Sequence, residues 1–222
     1  DRIDGIYLPN TRWFQGEEAK GEAAERFANQ LAGLADIFVN DAFGSWQPHA
    51  STVRVNKYLP SYAGFLMQKE LLNLDRIYNP QAPLVSVVAG SKFDTKIASL
   101  YTLLKKSDSL VLGGVIYNAY LCAKYGFQIK GISDEDMVHA RKFAEFAADY
   151  PGKLVELPFI VESDTMEGKL EGQHRTHALK DLAPGTQLNY VLDVAKESFA
   201  DPKVLEVFHG AKTIFVNAVM GY

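Results

Sequence analysis

The sequence predicts an α/β protein built on Rossmann-like parallel sheets, and three observations carry that expectation. Residues 84–88, L-V-S-V-V, are aliphatic and β-branched apart from Ser86, which suits a strand buried on both faces of a parallel sheet. Ala89 and Gly90 then make a tight exit into a helical pattern, which Ser91 is placed to cap with Asp94 as a weak capping-box partner. Earlier in the chain, residues 6–8, 17–34 and 37–39 read as strand, helix and strand, one βαβ unit.

Taken in order, 6–8 is a short strand, and Pro9, Asn10 and Thr11 form a turn that presents Arg12. An arginine at the carboxyl end of a strand is placed to fork onto a carboxylate or phosphate; the plainer alternative is a surface salt-bridge partner. The helix at 17–34 carries Ala24, Phe27, Ala28, Leu31 and Leu34 at three-and-four spacing. A loop at 40–44 follows the returning strand. Past the central strand, 92–106 is a long helix with Ile97, Leu100, Leu103 and Leu104 inward. Residues 110–112 form a strand, and 116–125 and 134–150 are helices, the second with Met137, Ala140, Phe143, Ala144 and Ala147 on its apolar face. Residues 153–161 are strand-like, 162–182 an exposed excursion, 204–208 a helix and 213–216 the last strand. His174 and His177 lie in the polar excursion without a helical frame, and no metal is expected there.

Lys92 and Lys96 fall four apart, on one face of the first turns of the helix after Gly90. Helix N-termini carry positive partial charge, so two lysines there are unfavourable unless an anion lies between them, and phosphate is the usual anion at such a place. A solvated lysine pair is the alternative.

Composition narrows the partners. The 222 residues carry a formal net charge of -4, which gives no electrostatic attraction to nucleic acid or to an anionic membrane surface. No apolar run approaches the ~20 residues that span a bilayer, so no membrane insertion is expected. Cys122 is the single cysteine, which fits an intracellular, reducing compartment, cytoplasm or organelle matrix.

Several segments resemble phosphoglycerate kinase. They are F-A-N-Q-L-A-G-L-A-D-I-F-V-N-D-A-F-G (27–44), H-A-S-T (49–52), A-G-F-L-M-Q-K-E-L (63–71) and A-G-S-K-F-D-T-K-I (89–97). L-P-N-T-R-W resembles that family's L-E-N-L-R-F, and L-V-L-G-G-V-I-Y and I-F-V-N-A-V-M-G resemble its later strand-and-turn segments. The resemblance implies two α/β lobes, with 1–62 the C-terminal part of a phosphoglycerate-binding-like lobe, 63–76 an interlobe hinge helix and 77–222 a nucleotide-binding-like lobe. It implies transfer of a phosphoryl group between Mg-ATP/ADP and 3-phosphoglycerate, achieved by positioning and charge neutralisation. On that analogy Arg12 and His49 face the phosphoglycerate. Gly90, Ser91, Lys92, Lys96, Gly113, Gly114 and Asn217 face the nucleotide, with Lys92 and Lys96 also the catalytic cations.

Departures from the family pattern sit at turns expected to face ligand. Residues 44–49, G-S-W-Q-P-H, lack the arginine of the family's G-T-A-H-R-A-H, and Arg54 has no evident reason to reach back. Val115 replaces the third glycine of a glycine turn, Val194 and Ala195 stand where the family has I-G-P, and Ala218 and Val219 replace glycine and proline. The fold also reads as incomplete at both ends, which leaves sheet edges for other protein chains to cover. Three functional readings result. The first is a catalytically degenerate pseudoenzyme kept as a structural or docking subunit. The second is part of a divergent but working phosphoglycerate kinase, and the third a nucleotide-binding regulatory module.

Overall fold

In the computed structural model, which describes residues 5–93, 96–218 and 220, the chain divides into two compact units, one up to Asn79 and one from Pro80. The capping partner Asp94 and the substituted Val219 lie outside the described residues.

The first unit is built around helix α1 (Glu22–Ala32), whose Ala24, Ala28 and Ala32 are buried on one face. Small side chains there let neighbouring segments approach closely. Phe14 stacks on Phe27 at 5.3 Å, and a Cβ at Gly16 would lie 2.3 Å from that of Phe27. The helix starts five residues later than the spacing predicts, because Glu17 is drawn into a different contact, described below. Leu34, expected in the core, lies beyond the helix and is exposed. Strands β1 (Phe38–Asn40) and β2 (Ser61–Ala63) pair in parallel. Residues 6–8 form no strand: Ile6 and Tyr7 are largely exposed, and no described segment supplies the backbone partner that a strand needs. Helix α2 (Phe65–Tyr78) follows Gly64, and the Asp41 carboxylate accepts the Met67 N–H at its first turn, 2.9 Å away. No residue of α2 is buried.

Glu25 fastens α1 to the 3-10 turn Arg54–Lys57. Its carboxylate accepts from Arg54 Nη1 and Lys57 Nζ, both at 2.6 Å, and from the Tyr58 hydroxyl at 3.0 Å. Arg54 is thereby committed to α1.

The second unit is organised by a four-stranded parallel sheet in the order β11 (Thr213–Asn217), β3 (Leu84–Val88), β4 (Ser109–Leu112) and β6 (Leu154–Val155). Strand β3 (Leu84–Val88) is buried along its whole length, as its aliphatic run predicts. Helix α3 (Ile97–Lys106) leads to β4 (Ser109–Leu112), and α4 (Gly114–Tyr125) leads to the short β5 (Gln128–Ile129). Helix α5 (Asp134–Ala148), capped by Ser133, precedes the edge strand β6 (Leu154–Val155). Leu100, Leu103 and Leu104 of α3, Ile116 and Tyr117 of α4 and Phe143 of α5 meet over the sheet in one apolar cluster. Inside the sheet layer, the Ser107 hydroxyl donates to Ser86 at 2.7 Å, so the one polar residue of β3 is satisfied.

The stretch 153–161 is two strands rather than one. After β6 the chain turns at Leu157 and begins β7 (Phe159–Ser163), which joins β8 (His174–Ala178) and β10 (Tyr190–Val194) in an antiparallel sheet. The expected excursion at 162–182 therefore contains a strand. Its polar residues are the ladder of an open sheet face: Arg175 Nε and His177 Nε2 both lie 2.7 Å from the buried Glu162 carboxylate. The short strand β9 (Gln187–Leu188) pairs with β5, and α6 (Pro202–Gly210), capped by Asp201, returns the chain to β11 (Thr213–Asn217) beside β3. None of the described helices is long and apolar enough to cross a membrane.

The Tyr117 ring is fully buried and its hydroxyl donates to the Leu157 carbonyl at 2.9 Å. Tyr117→Phe leaves that carbonyl unpaired in the core and is expected to cost about 1–3 kcal/mol, read as a lowered denaturant midpoint with an unchanged m-value. Glu25 gives a pH signature. Lys57, Tyr58 and Arg54 hold its carboxyl down at about 2 in the fold against an ordinary 4.5, so its contribution is complete above pH 4.5 and is lost as pH falls toward 2. Acid unfolding of the first unit should show this as a stability loss over that window, and the loss should be diminished in Glu25→Gln.

Candidate functional site

Two groups of predicted residues fall together, one in each unit. In the first unit the organiser is Glu17, which is 2% exposed. Its carboxylate accepts from the Thr11 hydroxyl at 3.1 Å, the Ser51 hydroxyl at 2.5 Å and the Ser51 N–H at 3.1 Å, and its carbonyl accepts from Ala50 N at 2.9 Å. Segment 11–17 is thereby tied to segment 49–52. Arg12 lies in a 3-10 turn (Thr11–Trp13), its own N–H donating to Asn10 Oδ1 at 3.0 Å, not at the end of a strand. His49 is fixed by its own N–H, which donates to the Thr52 hydroxyl at 3.1 Å. Both side chains then turn toward one carboxylate: Arg12 Nε and His49 Nε2 lie 3.3 and 3.9 Å from Glu18 Oε1.

In the second unit the predicted residues gather at the carboxyl ends of β3, β4 and β11. From β3 the chain proceeds outward through β4 to β6, and β11 returns on the other side, so β3 and β11 flank the switch point of the sheet, where ligands of open parallel sheets bind. Gly90 follows β3 and Gly113 follows β4. The two turns touch: a Cβ on Gly114, whose φ is +61°, would lie 2.8 Å from the Gly90 carbonyl oxygen. Gly113 is confined by side chains rather than backbone, with Met220 Cε 2.4 Å and Ala89 Cβ 3.2 Å from where its Cβ would be. Asp193, at the end of β10, accepts the Gly114 N–H at 2.9 Å and the Val194 N–H at 2.8 Å.

The chain after Gly90 does not enter a helix at once, and Ser91 does not cap one. Phe93 is buried against Phe143, and its N–H donates to Asp136 Oδ1 at 2.9 Å, which holds segment 90–93 in an open loop. Lys96 is the N-cap of α3, while Lys92 lies in the loop before it. The two lysines are therefore not on one helical face. Lys96 instead reaches across the switch point, and its Nζ donates to Asn217 Oδ1 at 2.5 Å. Beyond Asn217, Ala218 holds φ at +71°, a left-handed conformation that costs an alanine about 1–2 kcal/mol.

Beside these turns is a cavity of about 280 Å³. Gly90, Ser91 and Gly114 form its floor, Val115, Ile129, Met166 and Leu192 its apolar walls, and Asn118 reaches it from α4. Asn118 is 2% exposed. Its amide nitrogen donates to the Val191 carbonyl at 2.7 Å, while its Oδ1 has no partner among the described residues. Glu17, Glu18, Asp193 and the walls Ile129, Met166 and Leu192 were assigned no role from the sequence, whereas Val115 was noted as a departure at a glycine turn. The signal for Glu17 and Glu18 was an acidic doublet shortly after Arg12; Ile129 and Met166 carried none, because their approach depends on the antiparallel sheet.

The family profile described as phosphoglycerate kinase matches residues 2–222. The chain belongs to that family. It is 37% identical to the phosphoglycerate kinase of Pelotomaculum thermopropionicum over 98% of its own length and 54% of that protein's. It is 48% identical to the enzyme of Wolbachia sp. subsp. Drosophila simulans over its full length and again 54% of the relative's. Among solved structures it resembles phosphoglycerate kinase from Coxiella burnetii, with a TM-score of 0.73 and 33% identity over 91% of this chain and 52% of that one. The fold is also that of the Pyrococcus horikoshii OT3 protein, TM-score 0.78 at 23% identity over 96% of this chain and 54% of that one. The chain thus spans about half the length of the curated relatives it matches.

The contact between the glycine turns supplies a test. Gly114→Ala forces a Cβ onto the Gly90 backbone and places an L side chain at positive φ. An order of 2–3 kcal/mol should be lost, visible in thermal unfolding.

Proposed function

We propose that this chain is part of a working phosphoglycerate kinase and that its second unit binds Mg-ADP or Mg-ATP at the carboxyl ends of β3, β4 and β11. One observation carries the reading: the glycine turns at 90 and 113–114, Lys96 and Asn217 converge next to a cavity with apolar walls. The turns let backbone approach a phosphate closely, Lys96 neutralises it, and the walls receive the flat face of a purine. The unpaired Asn118 Oδ1 asks for a donor from within, so the residues present fit a nucleotide. Mg²⁺ would arrive with the nucleotide and neutralise charge on its phosphate oxygens. Lys92, exposed in the loop before Lys96, is assigned to the transferred phosphoryl group, and Arg12 and His49 to the phosphoglycerate.

A working site is favoured over a degenerate one because the substituted turns keep the backbone shape that ligand approach requires. Ala218 keeps a positive φ although an alanine gains nothing from it, and Val115 lines the cavity without filling it. The apolar residues left open are assigned to contact with further polypeptide. They include Phe65 and Leu72 of α2 and Ile214 and Val216 of β11.

Lys96→Ala removes a charged hydrogen-bond donor and should weaken Mg-ADP binding by about tenfold to a hundredfold, measured by titration calorimetry. A coupled assay on the full-length polypeptide should show phosphoryl transfer falling with it. An affinity unchanged by the substitution would place the nucleotide elsewhere.

A further inference from the structure

The first unit contains an internal anion at the place where two anion-binding side chains meet. Arg12 Nε and His49 Nε2 approach a single oxygen, Glu18 Oε1, at 3.3 and 3.9 Å, from two chain segments that Glu17 ties together. The anchoring differs sharply between the neighbours: Glu17 is buried and takes three hydrogen bonds, whereas the Glu18 side chain is 58% exposed. At 3.9 Å the His49 contact is an ion-pair distance and not a hydrogen bond. Glu18 therefore shares the locus of the pair without being fastened to it. A rotation about its side chain, cheap at an exposed position, frees both side chains while Glu17 keeps them in register.

We infer that Glu18 is a displaceable internal occupant of an oxyanion seat formed by Arg12 and His49, so that a phosphate or carboxylate of the substrate binds only by expelling it. The inference rests on the assignment of Arg12 and His49 to the phosphoglycerate and names what sets the affinity there. Glu18 lowers affinity for every anion at the seat, and it keeps the two side chains pointing at one locus when no anion is present. A substrate with two anionic groups gains most, since one of them can replace the carboxylate while the other finds further contacts.

The test uses the full-length polypeptide carrying Glu18→Gln, titrated with inorganic phosphate and followed by the His49 ring signals in NMR. Removing a like charge from the seat should tighten phosphate binding about three- to tenfold at low salt, with the gain shrinking as salt is raised. Glu22→Gln is the control: Glu22 pairs with Arg26 at 2.9 Å, so the substitution removes the same charge from a different pair and should leave phosphate affinity unchanged. Equal affinity in wild type and Glu18→Gln, weaker binding in Glu18→Gln, or no binding by either would each overturn the inference. Titration with 3-phosphoglycerate separates it from the kinase reading. If phosphate behaves as expected but 3-phosphoglycerate binds no tighter than phosphate, the kinase assignment of this site fails while the role of Glu18 stands.

Discussion

The second unit depends on two loops being allowed to touch. The turn after β3 and the turn after β4 approach until the Gly90 carbonyl stands where a side chain on Gly114 would begin. Adjacent parallel strands place the beginnings of their following segments side by side, and a Cβ on Gly114 would wedge the carboxyl edge of the sheet apart. With no Cβ at Gly114, α4 begins directly after Gly113, its first N–H reaches Asp193, and a cavity opens between the turns and the antiparallel sheet. The floor of the candidate nucleotide site is thus a consequence of backbone packing, with the charged residues added at its rim.

The first unit reaches a comparable result with a carboxylate. Glu17 is buried and satisfied by Thr11 and Ser51, so two segments far apart in sequence are held as one surface. Burying a charge is expensive unless it is hydrogen-bonded in full, and here the hydrogen bonds themselves are the fastening. Arg12 and His49 take their positions from that fastening, and Glu18 shares the locus because it is the next residue in the chain.

What was legible in the sequence was what local pattern determines. The aliphatic run at 84–88 has no other home than the middle of a parallel sheet, and there it lies. The three-and-four spacing in α3 and α5 put Leu100, Leu104, Ala140 and Phe143 inward, and they are buried. Arg12, His49, Lys96 and Asn217 were named from motif and resemblance, and the chain brings Arg12 and His49 to one carboxylate and Lys96 to Asn217. The errors arose where a distant contact outweighs local preference. Phe93 and Asp136 delay α3, Glu17 delays α1, and the Glu162 ladder turns a polar stretch into strand β8. At 6–8 the local pattern is strand-like, but a strand is a paired structure and no described partner is at hand.

The central claim is that nucleotide is received at the carboxyl ends of β3, β4 and β11. Backbone amide shifts of the whole protein during titration with Mg-ADP test it most directly. The account predicts the largest changes at Gly90, Ser91, Gly114, Lys96 and Asn217, with smaller ones along the cavity walls at Ile129 and Leu192. Amides at these positions that stay fixed at saturating nucleotide, or changes confined to the Glu162, Arg175 and His177 ladder, would contradict it.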